Sequence, residues 1–246
     1  MKIEHITCFE SDKVSARFSL KNDQVGKSDV IPGLNVGYNT VEEKEVADYK
    51  RMLWFQSLGL DIDSAAWGIQ IHGDTVQEVE KPGVYEKTDG LVTNLPNLSL
   101  NIFVADCAAL LFWDEINGVI GACHAGWRGA VAGIVPNTVQ MMTLKGAKSN
   151  AIKVFVSPCI SVKHFEVGEE VATQFPETYV NRSFEKPHVD LKSFIYHQLT
   201  ESGIEVSNIK MHDGCTFSEP HNYYSYRWDG QQAGRMIATI VLKSKG

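Results

Sequence analysis

At 246 residues the chain is long enough to bury a substantial core, and a make-up of 43% hydrophobic and 22% charged residues is that of a globular protein. A formal net charge of −7, with no cluster of Lys and Arg, argues against a nucleic-acid binder, because such binding draws on a basic face. No apolar run approaches the roughly 20 residues that span a bilayer, and the first dozen residues carry acids rather than the apolar core of a secretory signal, so no membrane partner and a cytoplasmic location are expected.

In chain order, residues 14–20 read as a first strand and 21–26 as a loop, and a further tight connection lies around Pro32 to Gly37. Thr40 followed by Glu43 has the capping-box pattern, which predicts a helix running to about Leu58. Val46, Tyr49, Met52 and Leu53 are its expected apolar side, and Gly59 is its stop. Residues 65–71 and 75–79 read as strands flanking the turn His72-Gly73-Asp74, and 88–93 restart extended structure. Apolar runs at 101–105, 109–113 and 118–124 have strand length and are separated by turn residues. Residues 130–144 are helical in pattern, with Pro136 marking a kink or a restart. A strand at 152–156, a short helix at 167–175 and a clear helix at 190–202 follow, and 235–242 fit either period. Without repeats or linker-like tracts, the expectation is one α/β domain over residues 1–246, a mixed sheet layered with helices.

The five cysteines, Cys8, Cys107, Cys123, Cys159 and Cys215, are odd in number and scattered, which suits reduced thiols better than a disulfide framework. Cys107 and His124 both stand where apolar strands give way to turns, and the glycine-rich Ala125 to Gly129 lets backbone approach a bound group beside the charge of Arg128. With His72, which leaves a strand end into a glycine turn, they form an N₂S set that suits zinc and leaves a position for water or substrate. Copper is a competing occupant if a methionine such as Met141 or Met142 stands on the axis. A third possibility makes Cys107 a nucleophile with His124 as base and Asp106 or Asp89 orienting it. In a fourth, Cys107 and Cys123 are core residues. Spacing alone does not separate these.

Arg128, Arg227 and Arg235 lie in glycine- or aromatic-rich turns where a guanidinium can bind phosphate through two parallel hydrogen bonds, or form a surface ion pair. Tyr223, Tyr224, Tyr226 and Trp228 offer a stacking face for a heterocyclic base, or pack in the core.

Taken together, Gln70-Ile71-His72-Gly73, the segment 88–93, Ala105-Asp106-Cys107, His124-Ala125-Gly126-Trp127-Arg128-Gly129, Ser157-Pro158-Cys159-Ile160 with Phe165-Glu166-Val167-Gly168, Asp190-Leu191-Lys192, and Ser225-Tyr226-Arg227 with Gly234-Arg235-Met236 resemble, in this order, the YfiH family. These are laccase-domain proteins, long labelled polyphenol oxidases and now assigned purine nucleoside phosphorylase activity. The resemblance runs from about Phe18 to Ile240. It implies a single-domain YfiH-like fold and a zinc held by His72, Cys107 and His124. It also implies phosphorolysis of adenosine, inosine, guanosine and methylthioadenosine, and deamination of adenosine. On this reading Cys107, His124 and Arg227 are catalytic, Lys21, Lys50, Arg128 and Tyr226 bind substrate and phosphate, and the partners are purine nucleosides and phosphate. Three departures stand out. Lys21 occupies the place of an arginine in the family's early FSTR segment, Tyr49-Lys50 falls where an Asn-Arg pair is expected in the first helix, and Trp228 replaces the second arginine of SYRR. A copper-dependent phenol oxidase and a cysteine hydrolase or amidase acting on cell-wall precursors remain as alternatives.

Overall fold

The computed structural model describes residues 2–244. A hairpin of β1 (His5–Glu10) and β2 (Val14–Ser19) leads through a long loop into α1 (Lys44–Ser57). Then come β3 (Ala65–Gly68), β4 (Val76–Glu78), β5 (Gly83–Tyr85), β6 (Gly90–Thr93) and β7 (Ser99–Val104). A second hairpin, β8 (Ala108–Asp114) with β9 (Val119–Ala125), runs into α2 (Trp127–Ala132) and α3 (Ile134–Leu144). The remainder is β10 (Ile152–Val156), α4 (Glu169–Ala172), β11 (Val180–Asn181), β12 (His188–Val189), α5 (Leu191–Glu201), β13 (Ile209–Met211), α6 (Tyr226–Asp229) and β14 (Met236–Leu242). Two six-stranded sheets result, in the orders β1-β2-β14-β7-β3-β5 and β13-β10-β8-β9-β6-β4, with β11 and β12 as a separate ribbon. Both large sheets mix parallel and antiparallel neighbours.

The near-continuous apolar character of β8 and β9 follows from burial on both faces, since every residue of both strands is buried. Alternation sorts their side chains. Ala109, Leu111 and Trp113 meet Phe18, Leu100, Ile102 and Ile240 of the other sheet. Ala108, Leu110 and Phe112 pack with Ile134, Val139, Ile195 and Leu199 of the helices. On the far side of the first sheet, Trp54 and Phe55 of α1 pack with Ala65 and Ile237. The molecule is therefore layered as α1, sheet, sheet, helices, a mixed α/β fold of the kind expected.

The first helix departs from its expected form. It begins at Lys44 with Glu43 as N-cap, and no side chain caps it. Thr40 instead accepts the amide of Glu42 at 3.3 Å and the side-chain amide of Asn35 at 3.2 Å. The buried stripe is Ala47, Lys50, Arg51, Trp54 and Phe55, while Tyr49 and Met52 are 56% and 37% exposed. Hydrophobic patterning mis-sets the face because the two buried cations have partners. Lys50 Nζ donates to Glu42 at 2.7 Å and to the Ile31 carbonyl at 2.8 Å, and Arg51 Nε donates to the Val36 carbonyl at 2.7 Å.

Other differences are smaller. The helical run 130–144 is two helices divided at Gly133, whose φ of +102° a side chain would strain, and Pro136 falls in the first turn of α3. The expected helix at 167–175 is the single turn α4, and the ambiguous 235–242 is β14, paired with β2 and β7. Five strands, β1, β5, β11, β12 and β13, lie where the sequence pattern gave no strand signal.

Candidate metal centre and its cavity

His72, Cys107 and His124 come from three places. His72 follows β3 in a turn, with φ of +61°. Cys107 stands between β7 and β8, beside Asp106 at φ of +73°. His124 is the penultimate residue of β9, paired with Ala109 of β8. Their ligand atoms lie within 4.8 Å of one another. The two imidazole rings meet edge to face at 4.6 Å between centroids.

One carboxylate arranges two of the three. Asp89, just before β6 and fully buried, accepts the amides of Ile71, His72 and Gly73 at 2.9 to 3.0 Å, and so fixes the turn that carries His72. The same group lies 2.8 Å from His124 Nδ1, which leaves Nε2 of that ring for the site. Burial pushes the Asp89 carboxyl up, but the hydrogen bonds from His124, Ile71 and Gly73 hold it below the usual carboxylate range. Burial likewise pushes the Cys107 thiol up. The adjacent His124 and His72 outweigh it, through charge and hydrogen bonding, and bring the thiol down to about 6.

The donor set fits a transition-metal ion: two imidazoles and a thiol poised to be a thiolate, with the remaining nitrogen of His124 held by a carboxylate. Backbone shape fits as well. A side chain at Gly126 would place its Cβ 2.8 Å from Cys107 Sγ and 2.9 Å from His72 Nδ1, so glycine there leaves both ligand atoms free of contact. Met142 is buried in the helical layer with Met141 packed beside it, and neither lines the cavity, so an axial methionine is not supplied by this pair.

The triad opens into a cavity of about 780 Å³ at the ends of β3, β7 and β9. Arg128, Arg227, Arg235 and Tyr226 all line it. Arg128 stacks on Trp127 at 4.3 Å, and Arg235 lies 5.7 Å from the Tyr226 ring. Ser225 caps α6 by accepting the Trp228 amide at 3.2 Å, which sets Tyr226 and Arg227 at the rim. The Arg227 amide and the Thr216 hydroxyl each donate to the Asp106 carboxylate at 2.6 Å.

Lys21 and Lys50, expected to bind phosphate, are not among the residues that line the cavity. Lys21 Nζ donates to the Pro220 carbonyl at 3.1 Å, and Lys50 is consumed by its buried pairs with Glu42 and Asp29. The stacking quartet also divides: Tyr223 and Tyr224 are core residues, while Tyr226 and Trp228 are exposed.

Among the cavity residues that the sequence pattern does not mark is Arg51. Its side chain reaches from α1 into the cavity wall, 3.5 Å from the Tyr38 ring centroid and 4.3 Å from that of Phe103. Burial lowers its pKa to about 10, and its buried Nη1 has no hydrogen-bond partner among the described residues. The available signal was the Asn-Arg pair expected in this helix: setting the family pattern one residue later aligns it with Lys50-Arg51 and recovers the arginine.

A family profile described as multi-copper polyphenol oxidoreductase laccase matches residues 16–243. A Deinococcus radiodurans protein named purine nucleoside phosphorylase is 37% identical over 85% of this chain and 82% of its own. A protein from an unknown prokaryotic organism, named adenosine deaminase RL5, is 28% identical over 99% of this chain and 100% of its own. The crystal structure of the Bacillus licheniformis protein YfiH superposes with a TM-score of 0.87 at 26% identity, covering 94% of this chain and 93% of that one. With nearly the whole length matched, the chain belongs to the family described as multi-copper polyphenol oxidoreductase laccase, the laccase-domain family that its motifs resemble.

Proposed function

We propose that this protein is a zinc-dependent purine nucleoside phosphorylase that also deaminates adenosine. The observation that carries the reading is a cavity which sets an N₂S donor group beside buried and rim guanidinium groups. The names of the two relatives support the same pair of activities. A zinc ion bound by His72, Cys107 and His124 would supply Lewis acidity toward an oxygen of substrate or water.

The protein's own contribution is binding and orientation. Asp89 fixes the ring of His124 and the turn of His72 before any ligand arrives, so little reorganisation is needed when one binds. The fork of Arg51, with one nitrogen unpartnered in a buried wall, is suited to a phosphate oxygen, and Arg128, Arg227 and Arg235 can share the remaining charge. Tyr226 offers an aromatic face to the base. A site that holds a dianion and a neutral heterocycle together meets the needs of phosphate attack on the anomeric carbon.

Adenosine incubated with phosphate should give adenine and ribose 1-phosphate, with inosine formed whether or not phosphate is present. Equal cleavage without phosphate, yielding free ribose, would make the enzyme a hydrolase. A second reading, in which Cys107 is a nucleophile, draws support from its thiol at about 6 beside His124. A covalent adduct on Cys107 trapped during turnover would favour it.

A further inference from the structure

Outside the metal ligands, Cys215, His164 and Ser161 converge beside the 157–165 segment, with Cys159 across a β-bridge from Cys215. Cys159 and Cys215 sit opposite one another in an isolated parallel β-bridge, and the Thr216 amide donates to the Cys159 carbonyl at 3.3 Å. Adjacent strands lie about 4.7–4.9 Å apart, inside the roughly 4.4–6.8 Å between Cα atoms that a disulfide spans. Both thiols are free.

The two are unequal. Cys215 Sγ lies 3.5 Å from His164 Nδ1 and accepts the Ser161 amide at 3.4 Å. An imidazole and a backbone N–H aimed at one sulfur favour its thiolate. Although burial opposes it, hydrogen bonds from Ser161 and Ser218 bring the Cys215 thiol down to about 6. His164 is itself held, stacked on Phe217 at 4.7 Å and 3.3 Å from the Ser161 hydroxyl. Cys159 has the opposite surroundings: it is fully buried in the core, which pushes its thiol up to about 12. Cys123, another core thiol, is pushed up to about 12 in the same way. Cys215 retains 7% of its surface, where Cys159 retains none.

We propose that Cys215 is a peroxide-sensitive thiol whose oxidised sulfur is captured by Cys159 across the bridge, giving a reversible intramolecular disulfide. In the first step the Cys215 thiolate attacks hydrogen peroxide. The O–O bond breaks, Cys215 becomes a sulfenic acid, and the hydroxide that leaves takes up the proton the Cys215 thiol had released, forming water. In the second, Cys159 sulfur attacks the sulfenic sulfur. The S–O bond breaks, the S–S bond forms, and the hydroxyl departs with the Cys159 proton as a second water. Two thiols and one peroxide thus become one disulfide and two waters.

The test treats the metal-loaded protein with hydrogen peroxide, then maps peptides without reduction. The expected product is a linked pair of the peptides holding Cys159 and Cys215, released by dithiothreitol. Cys159→Ser should instead accumulate a sulfenic acid on Cys215 that dimedone captures, and Cys215→Ser should show neither product. His164→Gln should slow loss of the Cys215 thiol by about tenfold. Metal content and circular dichroism, measured on each variant, check that the fold is kept. Absence of the linked pair in the wild-type protein, or its formation at an undiminished rate in His164→Gln, overturns the proposal.

Discussion

Cys107 and Asp89 bear on the same candidate metal centre from different distances, and substitution should separate them. Protein made without added metal should carry close to one zinc per chain by elemental analysis. Cys107→Ser should lose both zinc and turnover, because a hydroxyl is a far poorer ligand than a thiolate. Copper in place of zinc, with an intense thiolate-to-copper absorption band, would favour the oxidase alternative. Asp89→Asn keeps the ligands but weakens the acceptor that holds His124 and three backbone amides. Metal affinity should fall by about 10–100-fold on chelator competition. Arg51 tests the phosphate reading: Arg51→Lys keeps the charge but loses the planar fork. We expect the KM for phosphate to rise about tenfold or more while phosphate-independent deamination changes less. An unchanged phosphate KM would remove Arg51 from the anion site.

The helix α1 shows what sequence pattern can and cannot carry at the level of an element. Its existence and its stop at Gly59 were legible, but its buried face was not, because Lys50 and Arg51 read as solvent-facing until their partners, contributed by the loop before the helix, are known. Lys50→Ala would leave Glu42 buried and unpaired, at a cost of about 3–5 kcal/mol in urea unfolding. Tyr49→Ala on the outward face should cost within about 0.5 kcal/mol. Neither should alter the phosphate KM, in contrast to Arg51. The β8–β9 hairpin was read more completely, since burial on both faces makes its strands apolar throughout. Its turn is tied by Asp114, which accepts the amides of Ile116, Asn117 and Lys148 at 2.8 to 3.0 Å. Burial pushes this carboxyl up, yet those bonds and the side chain of Asn117 hold it below the usual range. A depressed carboxyl contributes stability that is present above the unfolded value near 3.9 and lost as pH falls through the lower folded value. Asp114→Asn should therefore flatten the decline in urea midpoint below about pH 4.

At the scale of the molecule, the mixed α/β class and most strands could be read from apolar periodicity, whereas the two-sheet layering could not. β3 and β7 belong to one sheet and β6, β8 and β9 to the other, an assignment set by pairings between residues far apart in sequence. The same holds for the site. Its histidines and cysteine were suggested by residue type and position, but the joint role of Asp89 appears only when β6 lies beside β9. Long-range assembly reaches its extreme in β14, which lies between β2 and β7 and pairs with both. A nascent chain that has emerged only to residue 235 holds both neighbours of β14 with an open edge facing a vacant slot. At roughly 5–20 residues per second of synthesis the exposure is brief, but it lasts until the strand has cleared the ribosome. Such a half-built sheet is a template for pairing with other chains, so expression of this protein should depend on holding chaperones, and stalled products ending before Met236 should aggregate rather than accumulate as folded fragments.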